Sequence, residues 1–299
     1  RYTRAAIEAA EFIWRHNRAR KGELWRVHLQ GSSSISGQQQ DYAYFAEGLL
    51  QLYDSTGDKI WLQRAVEMTD SMLERFWDAD NGGFFMSDEA QQLISMGRPR
   101  DGGYDNAMPS GNSVALRVLQ KLVARTDNLE YDRKADATLT SFASHINQNP
   151  DSFGYMLTAA RELQSGELAA LRYVARGGVK VKARQLEAER IAVDITIPEG
   201  WHINSNKPLQ DGLIPTQLTI NKQAKGWQAG DIRYPTASMA KLGFQSESLS
   251  LYQGEIQIRL TVKADKDASR ILPLLLGIQA CNDRVCLPPE KIALQLPMI

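Results

Sequence analysis

The chain has 299 residues, with 35 Lys plus Arg against 35 Asp plus Glu, and two cysteines. That length carries about two domains, each able to bury a core without staples. The charge balance provides no global field for nucleic acid or anionic lipid. The longest apolar run, Ile271 to Ile278, is strand-length and broken by Pro273, far short of the roughly 18 residues of a spanning helix. The sequence opens at Arg1 inside a helical pattern, without Met or a signal-like stretch, and reads as a processed or excised piece.

In chain order, a first helix is expected near Thr3 to Asn17. Phe45, Leu49 and Leu52 share a helix face, with Tyr42 on the turn before. Trp61, Ala65, Met68, Met72 and Phe76 make a second stripe. Ala115, Val118, Leu119 and Leu122 make a third, and Tyr131, Ala135, Leu139, Phe142 and Ile146 a fourth. A last helix is expected near Ser152 to Leu163. Asp54-Ser-Thr-Gly57, Asp80-Asn-Gly-Gly83 and Asp101-Gly-Gly103 punctuate these stripes, and such short connections imply antiparallel helix pairs. Near residue 175 the period changes. Val179, Val181 and Ala183 alternate, as do Ile191, Val193, Ile195 and Ile197. Ile256, Ile258, Leu260 and Val262 alternate against Gln257, Arg259 and Thr261, and Ile292, Leu294 and Leu296 close the chain. Seven or more short strands argue a β-sandwich, with no helix of three turns between Val179 and Ile197. The segment Gln164 to Gly178 is the expected junction.

In the helical half, Asp41-Tyr-Ala-Tyr-Phe45 and Tyr104-Asp-Asn-Ala-Met-Pro-Ser-Gly-Asn-Ser113 carry the polar chemistry. Read from the residues alone, they are a core tyrosine pair and a helix start capped by Ser110 or Asn112. Asp78, Asp80, Gly83 and Glu89 fall at calcium-loop positions, but Gly82 stands where a side-chain ligand is needed. His16, His28, His145 and His202 stand in no ligand spacing, so neither metal nor cofactor is expected.

Asp41-Tyr-Ala, Gly48-Leu-Leu, Phe76-Trp-Asp, Asn81-Gly-Gly-Phe-Phe85 and Pro109-Ser-Gly-Asn-Ser113 resemble the YyaL-like, spermatogenesis-associated thioredoxin-domain proteins. The resemblance covers nearly all of residues 1 to 165. It implies about half the helices of an (α/α)6 toroid of the six-hairpin glycosidase type, here an open arc of hairpins. Such toroids keep a ligand site where helix ends converge, which nominates Asp41, Tyr42, Asp105 and Asn112 for one concave region. A sugar-like small molecule would be its ligand, and paired carboxylates suit glycosidase chemistry.

In the other half the cysteine pair, Cys281-Asn-Asp-Arg-Val-Cys286, is the point of interest. Its spacing suits a turn whose neighbouring strands bring the Cα atoms within bridging distance. A static clip and an exchanging disulfide both fit that spacing. Arg284 would favour a thiolate and Asp283 would oppose it. Pro198-Glu-Gly-Trp-His-Ile203, Ser205-Asn-Lys-Pro208, Leu251-Tyr-Gln-Gly254 and Gln279 to Glu290 resemble the amino-terminal periplasmic domain of the thiol:disulfide interchange protein DsbD. That resemblance, over residues 178 to 299, implies an immunoglobulin-like sandwich in which Cys281 and Cys286 pass electrons between thioredoxin-like partners. It places Phe244 roughly where the family caps its disulfide.

The combined expectation is a helical toroid part over 1–175 followed by a β-sandwich over 178–299, in a bacterial, periplasmic modular protein that performs thiol–disulfide exchange with a thioredoxin-like partner. The alternative is a carbohydrate-active or sugar-binding toroid whose β domain holds a static disulfide.

Overall fold

A computed structural model of the chain describes residues 2–19, 22–88, 98–165, 169–221, 226–240 and 248–298. Phe244 and Glu89, nominated above, lie outside the described residues. Two compact units form, residues 1–123 with 128–164, and residues 124–127 with 165–299.

The described α-helices are α1 (Tyr2–His16), α2 (Gln39–Thr56), α3 (Lys59–Phe76), α4 (Gly111–Thr126), α5 (Leu129–Gln148) and α6 (Gly154–Ser165), all in the first unit except α4 from Ala124 and α6 at Ser165. The helix boundaries follow local chemistry. Asp58 accepts the Ile60 amide at the start of α3, and Asn128 accepts the Glu130 amide at the start of α5. Gly57 ends α2 in a left-handed conformation, φ 75°, and returns its N–H to the Tyr53 carbonyl. Ser110 caps α4, its Oγ accepting the Ser113 amide at 3.0 Å. The stripes face inward: Leu49, Leu50, Met68, Met72, Phe76, Leu119 and Leu122 are fully buried.

One element of this unit escapes helical periodicity. β1 (Trp25–Leu29) and β2 (Ser32–Ser36) form an antiparallel hairpin. The second strand reads Ser-Ser-Ser-Ile-Ser, mostly exposed, so it carries no apolar alternation to announce it.

The second unit is antiparallel β throughout its described residues from Leu171 onward. Its strands are β3 (Leu171–Val174), β4 (Val179–Glu187), β5 (Arg190–Thr196), β6 (Trp201–Asn204), β7 (Gln217–Ile220), β8 (Trp227–Arg233), β9 (Ser238–Ala240), β10 (Leu249–Tyr252), β11 (Glu255–Ala264), β12 (Ile271–Ile278), β13 (Ala280–Asn282) and β14 (Glu290–Pro297). They form three sheets, ordered β3-β4-β5-β11-β8, β13-β6-β10-β9 and β14-β12-β7, around one sandwich-like core. Val179, Val181, Ile191, Val193, Ile258, Leu260, Leu274, Leu276, Ile292 and Leu294 meet there, as period-two burial requires.

The apolar run Ile271 to Ile278 is β12, and a second, three-residue strand follows it. β12 pairs with β14 and β7 as far as Ile278, and after Gln279 the chain pairs with β6 instead as β13. The sheet change at Gln279 sits seven residues before Cys286 and is what carries Cys281 to a different sheet.

The Asp78–Gly83 loop shows why its glycines are needed. Asp78 Oδ1 accepts the amides of Asp80 and Asn81, and Arg100 Nη1 lies 3.2 Å from Oδ2. Burial would raise this carboxyl's pKa, but its Asn81 hydrogen bonds and the Arg100 charge outweigh burial and hold it below the usual carboxylate range. The loop is therefore closed on its own amides around Asp78. At Gly82, φ is 76° and an added Cβ would lie 2.6 Å from the Ala137 carbonyl oxygen. Gly82→Ala should cost about 1–3 kcal/mol, read as a lower urea midpoint at unchanged slope. An unchanged midpoint would mean that the loop is free to shift away from α5.

Candidate functional site

The cysteine turn is built by hydrogen bonds on both sides of the pair. The Asn282 amide donates to the Val285 carbonyl at 2.9 Å, and the Leu287 amide donates to the Ala280 carbonyl at 2.9 Å. Asn282 Oδ1 accepts the amides of Arg284 and Val285, each at 2.9 Å, which folds the two-residue loop Asp283-Arg284. Gln279 Nε2 adds a bond to the Leu287 carbonyl at 3.2 Å. Cys281 and Cys286 consequently face each other as a pair that exchanges no backbone hydrogen bond of its own. Such pairs are the closer kind in an antiparallel ladder, about 4.5 Å between Cα atoms. Here the separation is 4.0 Å, shorter than the roughly 4.4–6.8 Å expected for a bridge, and the two sulfurs are bonded. The trailing Pro-Pro-Glu also has a structural role: Glu290 Oε1 accepts the Ala175 amide at 2.7 Å, fixing the end of β3.

The two cysteines differ in exposure. Cys281 is 2% exposed, whereas Cys286, Asp283, Arg284 and Val285 are exposed. The buried partner sits opposite His202 in the β13–β6 register, and His202 is likewise 2% exposed. Burial lowers the pKa of His202, and the Asp283 carboxylate opposes that shift. His202 was not singled out in the sequence as a site residue. The only signal was its place beside Trp201 in a family motif, because nothing in the chain order links it to residue 281.

The other motif words of this unit touch one another. Tyr252 Oη donates to Asn206 Oδ1 at 2.6 Å, and Ser205 Oγ and Ser250 Oγ lie 2.8 Å apart. These bonds tie the Ser205–Pro208 loop to β10, the strand beside β6.

In the helical unit the four nominated residues have separate surroundings. Asp41 Oδ2 accepts the Gln38 amide at 2.7 Å, and Asp41 lines an apolar groove of about 680 Å³ with Ala10, Ile13, Tyr44, Phe45 and Met108. Tyr42 is turned into the core, where its hydroxyl accepts the Leu24 amide at 2.8 Å and its ring meets Phe76 edge-on. Burial raises its pKa. Asn112 is fully buried and pairs with both backbone groups of Phe84, at 2.8 and 3.2 Å. Asp105 accepts the Ser110 amide at 2.9 Å and the Tyr155 amide at 2.7 Å, bracing the starts of α4 and α6. A smaller cavity of about 350 Å³ is lined by Gln38, Gln39, Gln40, Tyr104, Met108 and Ser110, among others.

A polar cluster that periodicity did not reveal lies between helices α2, α4 and α6. Tyr155 Oη donates to Glu47 Oε1 at 2.6 Å and accepts from Arg117 Nη1 at 2.7 Å, and Arg117 pairs with Glu162 at 3.3 Å. Burial and the Glu47 carboxylate push the Tyr155 hydroxyl up to about 12. Arg117 falls inside an otherwise apolar stripe, so only its neighbours in space explain it.

With this geometry in hand, comparison with known proteins places the chain between two groups. Residues 173–297 match the family described as thiol:disulfide interchange protein DsbD, N-terminal. Spermatogenesis-associated protein 20 of Homo sapiens is 29% identical over 163 residues, 52% of this chain and 21% of that protein. The chain thus spans about a fifth of the length of that curated relative. Among solved structures, the reduced DsbD n-terminal domain of Neisseria meningitidis covers 39% of this chain and 83% of its own, at 18% identity and TM-score 0.29. The GH76 α-mannanase BT2949 of Bacteroides thetaiotaomicron covers 41% of this chain and 31% of its own, at 16% identity and TM-score 0.32. Both resemblances stated from the motifs therefore stand, one for the β part and one to the thioredoxin-domain proteins.

Two outcomes follow from the geometry. Asp105→Asn puts an NH2 group against one of two backbone amides, so it should lower stability by about 1–3 kcal/mol, seen as a lower melting temperature. An unchanged melting temperature would mean that Asp105 is free for another task. For His202, the unfolded chain takes up the proton before the folded one as pH falls, because burial lowers the folded pKa. Its contribution to stability is full above the ordinary imidazole value of about 6.5 and is lost as pH drops towards the folded value. In His202→Gln that part of the pH dependence should vanish from urea titrations between these limits.

Proposed function

We propose that the β unit performs thiol–disulfide exchange at Cys281–Cys286 with a thioredoxin-like partner, as an oxidoreductase module without a cofactor. The observation that carries this reading is the asymmetric disulfide: an exposed Cys286 bonded to a buried Cys281, within a segment matching the DsbD amino-terminal family. Exchange proceeds by thiolate attack on one sulfur of a disulfide. The partner's thiolate reaches Cys286, the sulfur–sulfur bond to Cys281 breaks, and Cys281 leaves with the electron pair. A second partner thiolate then releases Cys286, so the pair is reduced and the partner is oxidised to its own disulfide. The reverse sequence oxidises the pair.

Chain entropy supports this over a clip. A loop this short contributes about 2 kcal/mol, against about 4.7 for a 100-residue loop. In this reading the β unit is an immunoglobulin-like sandwich and the helical unit is part of an (α/α)6 toroid that acts as a scaffold. The compartment would be the periplasm of a bacterium, from the family of the β unit, although the relative of the helical part named above is human.

The test is equilibration of the full chain in dithiothreitol or glutathione buffers with counting of free thiols. The expected potential is more oxidising than about −300 mV, below which structural disulfides fall. Cys281→Ser, which leaves Cys286 alone, should trap a mixed disulfide with a thioredoxin-like protein. A potential well below that mark, with no trapped species, would make the pair a static clip.

A further inference from the structure

His202 and Cys281 stand directly opposite each other on adjacent antiparallel strands. Opposed residues project to the same face, with Cβ atoms about 4.5–5.5 Å apart. Their neighbours fix which face it is: Ile203 and Ala280, also a registered pair, both belong to the sandwich core. His202 and Cys281 therefore share the opposite face of this sheet, and both are buried there. Across β6, Leu249 and Leu251 of β10 lie on that same face, Leu251 paired with Asn204, and none of these titrates. From the cysteine turn, the Asp283 carboxylate acts on the ring, while Arg284 is exposed.

We infer that His202 is the proton acceptor for the Cys281 thiol when the Cys281–Cys286 disulfide re-forms, an inference that rests on the exchange reading above. The need for it is chemical. A thiolate is the nucleophile, and burial raises a thiol's pKa above its ordinary value of about 8.5. A buried thiol with no base beside it is a poor source of thiolate at neutral pH. A neutral imidazole beside it removes that obstacle, and burial keeps the imidazole neutral.

With a partner held on Cys286 as a mixed disulfide, the Cys281 thiol gives its proton to a ring nitrogen of His202. The Cys281 thiolate attacks Cys286 Sγ and the new sulfur–sulfur bond forms. The bond from Cys286 to the partner breaks, and the electron pair leaves with the partner's sulfur. The cysteine pair is oxidised and the partner reduced. The imidazolium stands near the Asp283 carboxylate and passes its proton to the departing thiolate or to water. In the opposite direction the imidazolium protonates Cys281 as it leaves.

The experiment uses the reduced full chain and excess dithiobis-nitrobenzoate, followed by stopped-flow absorbance. The first thionitrobenzoate released reports attack by Cys286, and the second reports closure by Cys281. In the unmodified protein the second phase should be nearly flat above about pH 6.5, the ordinary imidazole value. In His202→Gln it should slow by at least roughly tenfold at pH 7 and climb with pH through the thiol range, with the first phase within about twofold of the unmodified rate. His202→Asn, checked for folding by circular dichroism, provides a second variant of the same kind. A second phase that is unchanged in both variants would overturn the inference, leaving exchange itself intact. So would an unmodified protein whose second phase rises with pH through about 8.5, a result that needs no variant. Absence of the first phase would mean that Cys286 is not reachable, which removes the exchange reading and this inference together.

Discussion

Antiparallel strands alternate between pairs that exchange backbone hydrogen bonds and closer pairs that do not, and the second kind is the site that a cross-strand disulfide can fill. Cys281 and Cys286 occupy one because the bonds from Asn282 to Val285 and from Leu287 to Ala280 flank them on both sides. Both bonds lie within residues 280 to 287, after the chain has changed sheets at Gln279. Had β12 continued in its own sheet, residues 280 to 282 would not have met β6, and Cys281 would have no histidine opposite it. The register of three residues on β13 thus decides which side chain stands opposite Cys281.

The same sheet change separates the two sulfurs chemically. Cys281 lies inside a strand that is flanked by β6, so it is enclosed. Cys286 lies past the loop, outside any strand, so it is open to solvent. A thiol reaching this pair from solvent meets Cys286 first, and access is one of the factors that set the rate of attack on a disulfide. The chain contains no third cysteine to compete.

In the helical unit, carboxylates serve a different end. Asp41, Asp78 and Asp105 each accept backbone amides at a helix start or loop, which satisfies donors that helix geometry leaves without partners. The Glu47, Tyr155, Arg117 and Glu162 cluster is instead made of side chains from three helices, each partly or largely buried. Leaving one member of such a cluster without its partner is costly, because a buried charge then has no compensation.

The apolar alternation of β4, β5, β11 and β14 and the stripes on α2 to α5 were legible in the sequence, since period and burial are local consequences of backbone geometry. So were a helix start that Ser110 or Asn112 could cap, of which Ser110 is the cap, the nearness of the two cysteines, and the likeness of residues 173–297 to the DsbD amino-terminal family. The hairpin of β1 and β2 was not legible, because Ser-Ser-Ser-Ile-Ser carries no apolar signal. Nor was β13, because Ala280-Cys-Asn282 is too short to show an apolar alternation of its own. The tasks of Tyr42 and Asn112 were hidden too, since Leu24 and Phe84 are their partners only in space. His202 stands 79 positions before Cys281, and strand register alone brings them together. The sequence by itself determined the apolar stripes that are buried and which two residues can bond. Tertiary structure decided which sulfur faces water and which side chain faces the other, because those depend on pairings between strands that no local pattern encodes.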